Sequence, residues 1–352
     1  MSPSPGRAGV HVTSIKDVAR TVGVSTATVS RALRGLPRVS DSTRDRVLRA
    51  AADLDYVASP SAAGLASGQT RAVGVVVPFV SRWFFATVVQ GAEAPLREAG
   101  YDLLLYNLGG DAEARRRVFT THLLRKRVDA VLVLSLTPTQ QEIAALAKLH
   151  RPVAVIGASV PGWASVRIDD VDAACTAMHH LLGLGHRRIA HLGGALTNRL
   201  DFAAPLHRLD GYRLAMSAAG LTVPAGWEIT SDFTVRGGVA GMEELLRLGP
   251  SDRPTAVFAA SDEMAIGAVA AVRRAGLRVP EDVSVIGIDD HEMSEFFDLT
   301  TVAQPAREQG RLAASLLLAA MNPLCSPEEL APSHTVATTL MVRGTTCRPT
   351  NG

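Results

Sequence analysis

Residues 14–34 have the sequence SIKDVARTVGVSTATVSRALR, which predicts two short helices around a glycine turn. Ser14 precedes Asp17 by three residues, the spacing of a capping box in which the hydroxyl accepts a first-turn N–H and the acid reaches back. Apolar residues recur at positions i, i+3, i+4 and i+7 and so form one face of a helix: Ile15, Val18, Ala19 and Val22. Gly23 permits a sharp turn, and Ser25 can cap a second helix. The stretch predicts a helix-turn-helix rather than an ordinary helical hairpin.

The second helix of such a unit can lie in a major groove of DNA, with its first residues at the base edges. Its apolar residues are Ala27, Val29, Ala32 and Leu33. A third helix is predicted from about Thr43 to Asp55, with Val47, Ala51 and Leu54 facing inward. We therefore predict a disordered lead-in over 1–12 and a small all-α helix-turn-helix domain over 13–58.

Residues 59–70 are rich in Ala, Ser and Gly and are predicted to form a hinge. Two interpretations stay open for this segment, a flexible linker or a helix that forms only on a partner. The charge changes at its end. Residues 1–70 hold nine Lys and Arg against five Asp and Glu, whereas the remainder holds 27 against 29. A basic head on a slightly acidic body is typical of a head that faces phosphates.

Cys175, Cys325 and Cys347 are odd in number and widely spread, so we expect reduced thiols and neither a disulfide framework nor a metal site. The N-terminus has no apolar signal core, and no run approaches the length of a membrane span. The sequence therefore predicts a cytoplasmic protein with no membrane partner. Four histidines lie close together without acidic residues at ligand spacing, so structural or surface roles are favoured over a metal: His179, His180, His186 and His191.

From Arg71 onward, short continuous apolar runs alternate with helical stretches such as Ala86–Ala99 and Ala173–Leu184. Runs without polar alternation predict strands covered on both faces, in parallel sheets between helices. The runs are Val73–Val77, Leu103–Tyr106, Val131–Leu134, Val153–Ile156, Ile189–Leu192, Ala256–Phe258 and Val283–Ile288. The length fits two doubly wound halves, with a ligand cleft at the carboxyl ends of the strands.

No catalytic signature is present: the chain has no G-x-S-x-G, H-E-x-x-H or G-x-x-x-x-G-K-[ST] motif. Gly183 and Gly185 begin like a dinucleotide fingerprint, but Arg188 stands in the place of the third glycine. The segment also follows a helix instead of a strand, so it is interpreted as a helix terminus. The sequence predicts no enzyme, no cofactor and no bound metal.

Residues Thr13 to Thr346 resemble the lactose-repressor/galactose-repressor family of bacterial transcriptional regulators. The resemblance rests on ordered motifs: SIKDVARTVGVSTATVSRALRG, the hinge end GLASG, LLGLGHRRIAHLGG, HRLDGYRLAM, AASDEMAIGAV, VSVIGIDD, LTTVAQP and LMVRGTT. It implies an α/β periplasmic-binding-protein-like body over 71–346, made of two doubly wound parallel-sheet subdomains. The expected N-subdomain spans about 71–168 and 303–335, and the C-subdomain about 169–302 and 336–346.

The resemblance also implies the DNA contacts. Thr26 and Ala27 match the recognition-helix positions that face base edges, and Arg31 matches a position that commonly reaches guanine, whose O6 and N7 fit the arginine fork. Ser14, Ser25, Thr28 and Ser30 are expected to contact phosphates or the helix ends that face them. Ala27 and Thr28 could equally be plain helix surface.

In the hinge, Leu65 matches a family leucine that wedges into the minor groove, and Ala62 lies on the same helical face. The stretch Ala62-Ala63-Gly64 lacks the arginine that relatives often carry, and Gly64 disfavours a helix. Leu65 as a plain linker residue is the alternative.

For the effector, the resemblance implies contacts by Arg208 and Asp289 with ligand hydroxyls and by Phe233 as a stacking platform. Ser261 stands where some relatives have Asn, Gln304 is expected in the last crossover strand, and Phe84 and Phe85 are expected on the opposite wall. Structural alternatives are Phe84 as core and Asp262 and Asp290 as helix caps. Gly157 replaces a polar side chain of some relatives.

The chain is therefore predicted to be a homodimeric repressor of a pseudo-palindromic operator on double-stranded DNA, controlled by a small-molecule effector. The expected effector is a sugar, with a purine or another metabolite as the alternative. A solute-binding protein or sugar-handling enzyme is the rival class. It is disfavoured because no export signal or catalytic constellation is found and because such a protein has no use for a DNA-binding head.

Overall fold

The computed structural model describes residues 13–56, 69–120, 124–125, 127–194, 203–322 and 333–350. Two compact units divide the chain, Met1–Thr70 and Arg71–Gly352, and each is described by itself. The predicted lead-in and most of the predicted hinge, including Ala62 and Leu65, lie outside the described residues, as does Cys325.

Within residues 13–56, the first unit contains three helices, α1 (Ile15–Val22), α2 (Thr26–Leu33) and α3 (Asp41–Asp53). A capping box starts α1, and Asp17 Oδ2 accepts the Ser14 backbone N–H at 3.0 Å. Gly23 ends α1 with φ of 73°, a left-handed conformation that glycine adopts without steric cost. The predicted helix-turn-helix is confirmed.

The third helix begins and ends earlier than the sequence predicts. Ser40 caps it by accepting the Thr43 backbone N–H, so α3 starts at Asp41 and is complete by Asp53. Leu54 follows the helix and packs only against the edge of the core. The buried residues of the bundle come from all three helices: Val18, Ala19, Val22, Val29, Ala32, Val47, Ala50 and Ala51.

The described residues of the second unit form two six-stranded sheets. The first sheet, which defines the N-subdomain, contains β1 (Ala72–Val77), β2 (Asp102–Asn107), β3 (Ala130–Leu134), β4 (Val153–Ile156), β5 (Ala164–Arg167) and β11 (Ser333–Thr335). The second, which defines the C-subdomain, contains β6 (Ile189–Gly194), β7 (Glu228–Ser231), β8 (Ala256–Ala259), β9 (Ser284–Asp289), β10 (Thr300–Ala303) and β12 (Thr339–Met341). The strand orders are β11-β5-β4-β3-β1-β2 and β12-β10-β9-β8-β6-β7.

Neighbouring strands are parallel except β10 and β12, which pair antiparallel. The helices of this unit are α4 (Trp83–Glu98), α5 (Ala112–Thr120), α6 (Gln140–Ala147), α7 (Asp170–Gly183), α8 (Ala204–Ala218), α9 (Val235–Leu246), α10 (Asp262–Arg274) and α11 (Ala306–Ala320). Both faces of each sheet are covered: Val75 belongs to the core under α4 and α11, and its neighbour Val76 to the core under α5 and α6. The predicted doubly wound architecture is confirmed.

Close helix packing brings α4 against α11. A Cβ on Gly91 would collide with the Arg307 carbonyl oxygen, and one on Gly310 with the Val88 carbonyl oxygen. The two glycines therefore let the two helices approach at backbone distance. This packing ties the start of the first subdomain to a helix that comes much later in the sequence.

The chain passes between the two sheets at residues 168–169, 304–305 and 336–338. Each subdomain is consequently assembled from separate parts of the sequence. The strands β11 and β12 stand at the outer edges of the first and second sheet.

One strand differs from the sequence-based expectation of burial on both faces. The predicted run Leu103–Tyr106 forms β2, which is the edge strand of the first sheet. Leu104 and Leu105 are 38% and 41% exposed. A continuous apolar run at a sheet edge thus leaves part of its surface uncovered within this chain.

Candidate functional site

The exposed face of α2 carries the residues predicted to meet DNA bases. Thr26, Ala27 and Arg31 are exposed, and Thr28 and Ser30 are half-buried. The opposite face, with Val29 and Ala32, is buried in the bundle. Among residues 13–56, the polar face of α2 is thus turned away from the buried core of the bundle, as a helix that enters a groove requires.

Three of the predicted DNA-facing hydroxyls have a structural role at helix ends. Ser25 Oγ accepts the Thr28 backbone N–H at 3.1 Å and lies 2.9 Å from Thr28 Oγ1. Ser14 Oγ donates to Asp17 Oδ2 at 2.7 Å. These bonds fix the ends of α1 and α2 and leave each hydroxyl oxygen at the surface or half-buried.

In the second unit, a cavity of about 200 Å³ lies where strands of both sheets end. Its lining residues follow the carboxyl ends of strands: Phe79 after β1, Ser135 after β3, Gly157 after β4, Ile168 after β5, Ser231 at β7, Ser261 after β8, Asp289 at β9 and Gln304 after β10. Loops at the carboxyl ends of parallel strands are where open α/β sheets bind ligands.

All seven residues predicted to contact an effector line this cavity: Phe84, Phe85, Arg208, Phe233, Ser261, Asp289 and Gln304. Phe84 and Phe85 also pack into the core of the N-subdomain. Phe84 is therefore both a core residue, as the structural alternative proposed, and a lining residue of the cavity. Gly157 lines the cavity as well, and Ser135 occupies the space that a side chain there would need.

A buried charged cluster forms the C-subdomain side of the cavity. Arg208 Nε donates to Asp170 Oδ1 at 2.8 Å, and its Nη1 donates to the Ala260 carbonyl oxygen and lies 3.7 Å from Asp289 Oδ1. Gln304 Nε2 donates to Asp289 Oδ1 at 2.6 Å. Arg208, Asp289 and Gln304 are all buried.

Burial raises the pKa of Asp289 to about 7, even though the Arg208 guanidinium and the Gln304 amide lower it. The buried Asp262 carboxyl raises it further. For Arg208, burial lowers the pKa, but the carboxylates of Asp170 and Asp289 more than offset this and the net shift is upward. Asp289 therefore titrates close to neutral pH beside a permanently charged arginine.

Aromatic rings form a large part of the remaining wall. Phe79, Trp83, Phe84, Phe85 and Phe233 line the cavity. The rings of Phe84 and Phe85 meet edge to face with centroids 5.5 Å apart. Rings that face a few convergent polar groups suit a ligand with an apolar face and hydrogen-bonding groups at its rim.

Several lining residues were not predicted from the sequence. Asp170 follows β5, a short strand without a continuous apolar run, so its position at a strand end was not visible. Arg82, Trp83 and Glu263 meet only because two subdomains face each other across the cavity. Gln309 lies on α11 and donates to Gln304 Oε1 at 3.0 Å.

Helix capping, the structural alternative for Asp262 and Asp290, is found at neither residue among the described helices. Ser261 caps α10 by accepting the Met264 backbone N–H, while Asp262 is the first residue inside that helix. Asp262 is fully buried and accepts three hydrogen bonds, from the Thr301 and Ser294 hydroxyls and the His291 backbone N–H. Asp290 pairs with Arg343 at 2.7 Å.

The described residues contain no group of three or more His, Cys, Asp or Glu side chains that could hold a metal ion. His186 Nε2 bonds the Cys347 carbonyl oxygen at 2.8 Å and His180 Nε2 bonds Thr346 Oγ1 at 2.9 Å, so both attach the C-terminal segment to α7 and the loop that follows it. Within the described part of the chain, no helix is long and apolar enough to cross a membrane.

A helix-turn-helix unit and a two-lobed body with a polar-aromatic cavity occur on one chain. Together they define a ligand-responsive DNA-binding regulator. Residues 14–59 match the family "Bacterial regulatory proteins, lacI family", and residues 178–346 match "Periplasmic binding protein-like domain".

The ribose operon repressor of Escherichia coli (strain K12) is 36% identical over 314 residues, covering 87% of this chain and 92% of that protein. The HTH-type transcriptional repressor PurR of Vibrio cholerae serotype O1 (strain M66-2) is 36% identical over 314 residues, covering 87% and 90%. The crystal structure of the Lac repressor dimer bound to operator and the anti-inducer ONPF has a TM-score of 0.80, 27% identity, and coverage of 95% and 99%.

The chain belongs to the lacI family of bacterial regulatory proteins. It is a DNA-binding transcriptional repressor with an effector-binding body, and its relatives are repressors, not enzymes. The family predicted from the ordered motifs is thus confirmed.

Proposed function

We propose that this repressor works in the cytoplasm as a homodimer, binds a pseudo-palindromic operator, and changes its operator affinity when a monosaccharide enters the cavity. The observation that carries the proposal is the cavity itself, where buried Arg208 and Asp289 face aromatic rings at the strand ends of both sheets. Ligand binding at this position can change the equilibrium between two arrangements of the subdomains.

A monosaccharide suits this cavity for three physical reasons. Its hydroxyls both donate and accept, so they can satisfy a guanidinium and a carboxylate in the same site. Its C–H face can pack on the Phe233 or Phe84 ring. The volume of about 200 Å³ lies below the roughly 300–1,000 Å³ of drug-sized ligand sites, which favours a small ligand.

On DNA, we propose that Thr26, Ala27 and Arg31 face base edges in the major groove, while Ser14, Ser25, Thr28 and Ser30 lie towards phosphates. Support comes from the exposure of α2 residues and from the hydroxyls at the helix ends. A twofold protein reads a twofold site, which is why a palindromic operator is expected. Ala62 and Leu65 belong to this proposal on the family resemblance alone.

Two measurements test the proposal. Gel-shift assays with promoter-region DNA from the source should give a retarded complex whose affinity falls steeply with salt, because phosphate contacts release counterions. A thermal-shift screen of pentoses, hexoses, disaccharides and purine bases should show stabilisation by a monosaccharide, because a ligand that binds only the folded state raises the melting temperature.

The screen discriminates the effector classes. Stabilisation by a purine base with no response to any sugar would reject the sugar and support the alternative. Absence of any salt-dependent complex with DNA would reject operator binding and favour a solute-binding role.

A further inference from the structure

Two contacts join the subdomains beside the cavity, which Arg82, Trp83 and Glu263 line. Arg82 Nη1 lies 3.8 Å from Glu263 Oε2, and the rings of Trp83 and His291 have centroids 5.0 Å apart. Arg82 and Trp83 stand at the start of α4 on the first sheet, whereas Glu263 and His291 belong to the second. We propose that these four residues, the cleft clasp, hold the two subdomains together across the cavity and thereby set how readily it opens.

The first observation is partial burial of the ion pair. The side chains of Arg82 and Glu263 are only 21% and 22% exposed, so solvent screens their attraction less than that of a surface pair. Burial raises the pKa of Glu263, while the Arg82 guanidinium and the Trp83 backbone N–H lower it. Arg82 and Trp83, which are adjacent in sequence, therefore both favour the ionised form of Glu263.

The second observation is that the C-subdomain side of the clasp is rigidly anchored. Buried Asp262 precedes Glu263 in α10 and accepts the His291 backbone N–H at 3.0 Å. His291 Nδ1 in turn accepts the Met293 backbone N–H at 2.9 Å, which fixes the orientation of the ring. One buried carboxyl therefore positions both C-subdomain members of the clasp.

The third observation concerns the N-subdomain side. The Arg82 guanidinium lies 5.0 Å from the centroid of the Phe79 ring, a cation–π distance that restrains the side chain. Trp83, the first residue of α4, packs against the N-subdomain core and also lines the cavity. Both members are therefore held by their own subdomain before they reach across the cleft.

A contact of this kind shifts the balance between open and closed arrangements of the cleft. Closing presents both walls of the cavity together, so a ligand that needs both walls binds with an affinity proportional to the closed population. The Arg82–Glu263 distance of 3.8 Å is long for an ion pair, so the contact is weak enough for the cleft to open. Weakening the clasp should make the start of α4 and of α10 open more often.

Hydrogen–deuterium exchange on the full-length protein, without added sugar, tests this directly. The variants are Arg82→Gln, Glu263→Gln and the double variant, with Trp83→Leu as a separate test of the ring contact. Amides in the first two turns of α4 and α10 should exchange about threefold to tenfold faster in each variant. Amides of β1 and β8, in the two cores, should keep their wild-type rates.

The matched controls are Glu93→Gln and Arg97→Gln, which break an exposed ion pair on the same helix, with Arg97 Nε 3.0 Å from Glu93 Oε1. They should leave exchange in α10 unchanged. The double variant Arg82→Gln/Glu263→Gln should exchange no faster than either single variant, because each already breaks the pair. Unchanged exchange in the single variants, or effects that add in the double variant, would overturn the clasp. The test uses no effector, so its result is independent of the proposed sugar.

Discussion

Gln304 and Asp289 are joined by a 2.6 Å hydrogen bond, in which the Gln304 side-chain amide donates to Asp289 Oδ1. Gln309, on α11 of the N-subdomain, donates to Gln304 at 3.0 Å. The amide of a crossover residue thereby links a helix on the first sheet to a carboxyl on the second. The donor also favours the ionised form of Asp289, whose pKa burial raises to about 7.

We expect the affinity for the effector to depend on pH around neutrality. If the Asp289 carboxylate accepts ligand hydroxyls, affinity should increase as pH rises from 6 to 8, since the carboxyl loses its proton in that window. Gln304→Met removes a donor to the carboxylate and should move the midpoint to higher pH. Isothermal titration with the monosaccharide found in the screen, repeated at several pH values, measures this midpoint.

Asp289→Asn is the variant that should remove the pH dependence altogether. Gln309→Met serves as the control, because Gln309 contacts Gln304 and not the carboxyl. An unchanged midpoint in Gln304→Met would show that the hydrogen bond does not govern the titration.

Removal of Arg208 should cost both stability and effector response. Arg208→Met leaves the buried carboxyls of Asp170 and Asp289 without their cation, which should destabilise the body by about 3–5 kcal/mol at neutral pH. The loss should shrink at lower pH as the carboxyls take up protons. Arg213→Met, on the same helix but in an exposed pair with Glu228, should cost no more than about 1 kcal/mol. Denaturant unfolding compares the two variants, and equal losses would contradict the buried-cluster argument.

His191 should make the body less stable in acid. Burial lowers its pKa from 6.5 to about 4, so the unfolded chain binds a proton between these values that the folded chain does not. Stability therefore falls as pH drops through this window, by up to about 3 kcal/mol from this residue. His191→Phe keeps an aromatic ring beside Tyr212 and Phe258 and should flatten that slope relative to wild type.

The raised pKa of Asp289 contributes a slope of opposite sign, because there the folded state binds the extra proton. The measurement therefore compares the free energy of unfolding of the variant with that of the wild type at each pH. His207→Gln, at an exposed position on α8, is the control. Parallel pH profiles for wild type and His191→Phe would reject the role of His191.

Arg31 and Ser25 should affect DNA binding in different ways. Arg31→Ala should lower operator affinity by about 1–3 kcal/mol and relax discrimination at one base position, since a base-reading fork is lost. Ser25→Ala removes the cap of α2 and should lower stability of the head by about 1 kcal/mol. Gel shifts on a set of single-base operator variants separate the two effects. Equal loss on every operator in Arg31→Ala would assign it to phosphate contact.

Leu65, in the predicted hinge, gives a further test of the family resemblance. Leu65→Ala should weaken operator binding and reduce DNA bending, because a minor-groove wedge offsets unstacking by enlarging the contact surface. Effector affinity should stay at the wild-type value. Circular-permutation gel shifts measure the bend, and a wild-type bend angle in the variant would reject the wedge.

The continuous apolar runs predicted interior strands that are buried on both faces, namely β1, β3, β4, β6, β8 and β9. The sequence did not predict β7, β11 and β12, which are three or four residues long and lie at sheet edges, where little apolar surface is needed. No continuous apolar run predicts β5 or β10, and only the family resemblance placed a strand near Gln304, where β10 lies. There Thr300 and Thr301 are buried because their hydroxyls bond the Arg343 carbonyl oxygen and Asp262 Oδ1.

The residues of the candidate site likewise divide into those that the sequence predicted and those that it did not. Arg208 and Asp289 were placed through motifs that lie within single segments of the chain. Arg82 and Glu263 carry no local signal, because their meeting depends on how two separately folded sheets face each other. Contacts across a cleft depend on tertiary structure, so the sequence pattern around Arg82 or around Glu263 cannot predict them.

Because the chain passes back and forth between the two subdomains, the second unit cannot be divided into separate fragments at one position. A gene fragment that ends before Ser333 would encode neither subdomain completely. The first sheet would lack the edge strand β11 and the second the edge strand β12, and each would expose an unpaired strand edge to other molecules. Neither lobe can be transplanted with a single cut. An engineer who wishes to exchange the specificity of such a repressor must therefore graft everything from Arg71 onward as one piece.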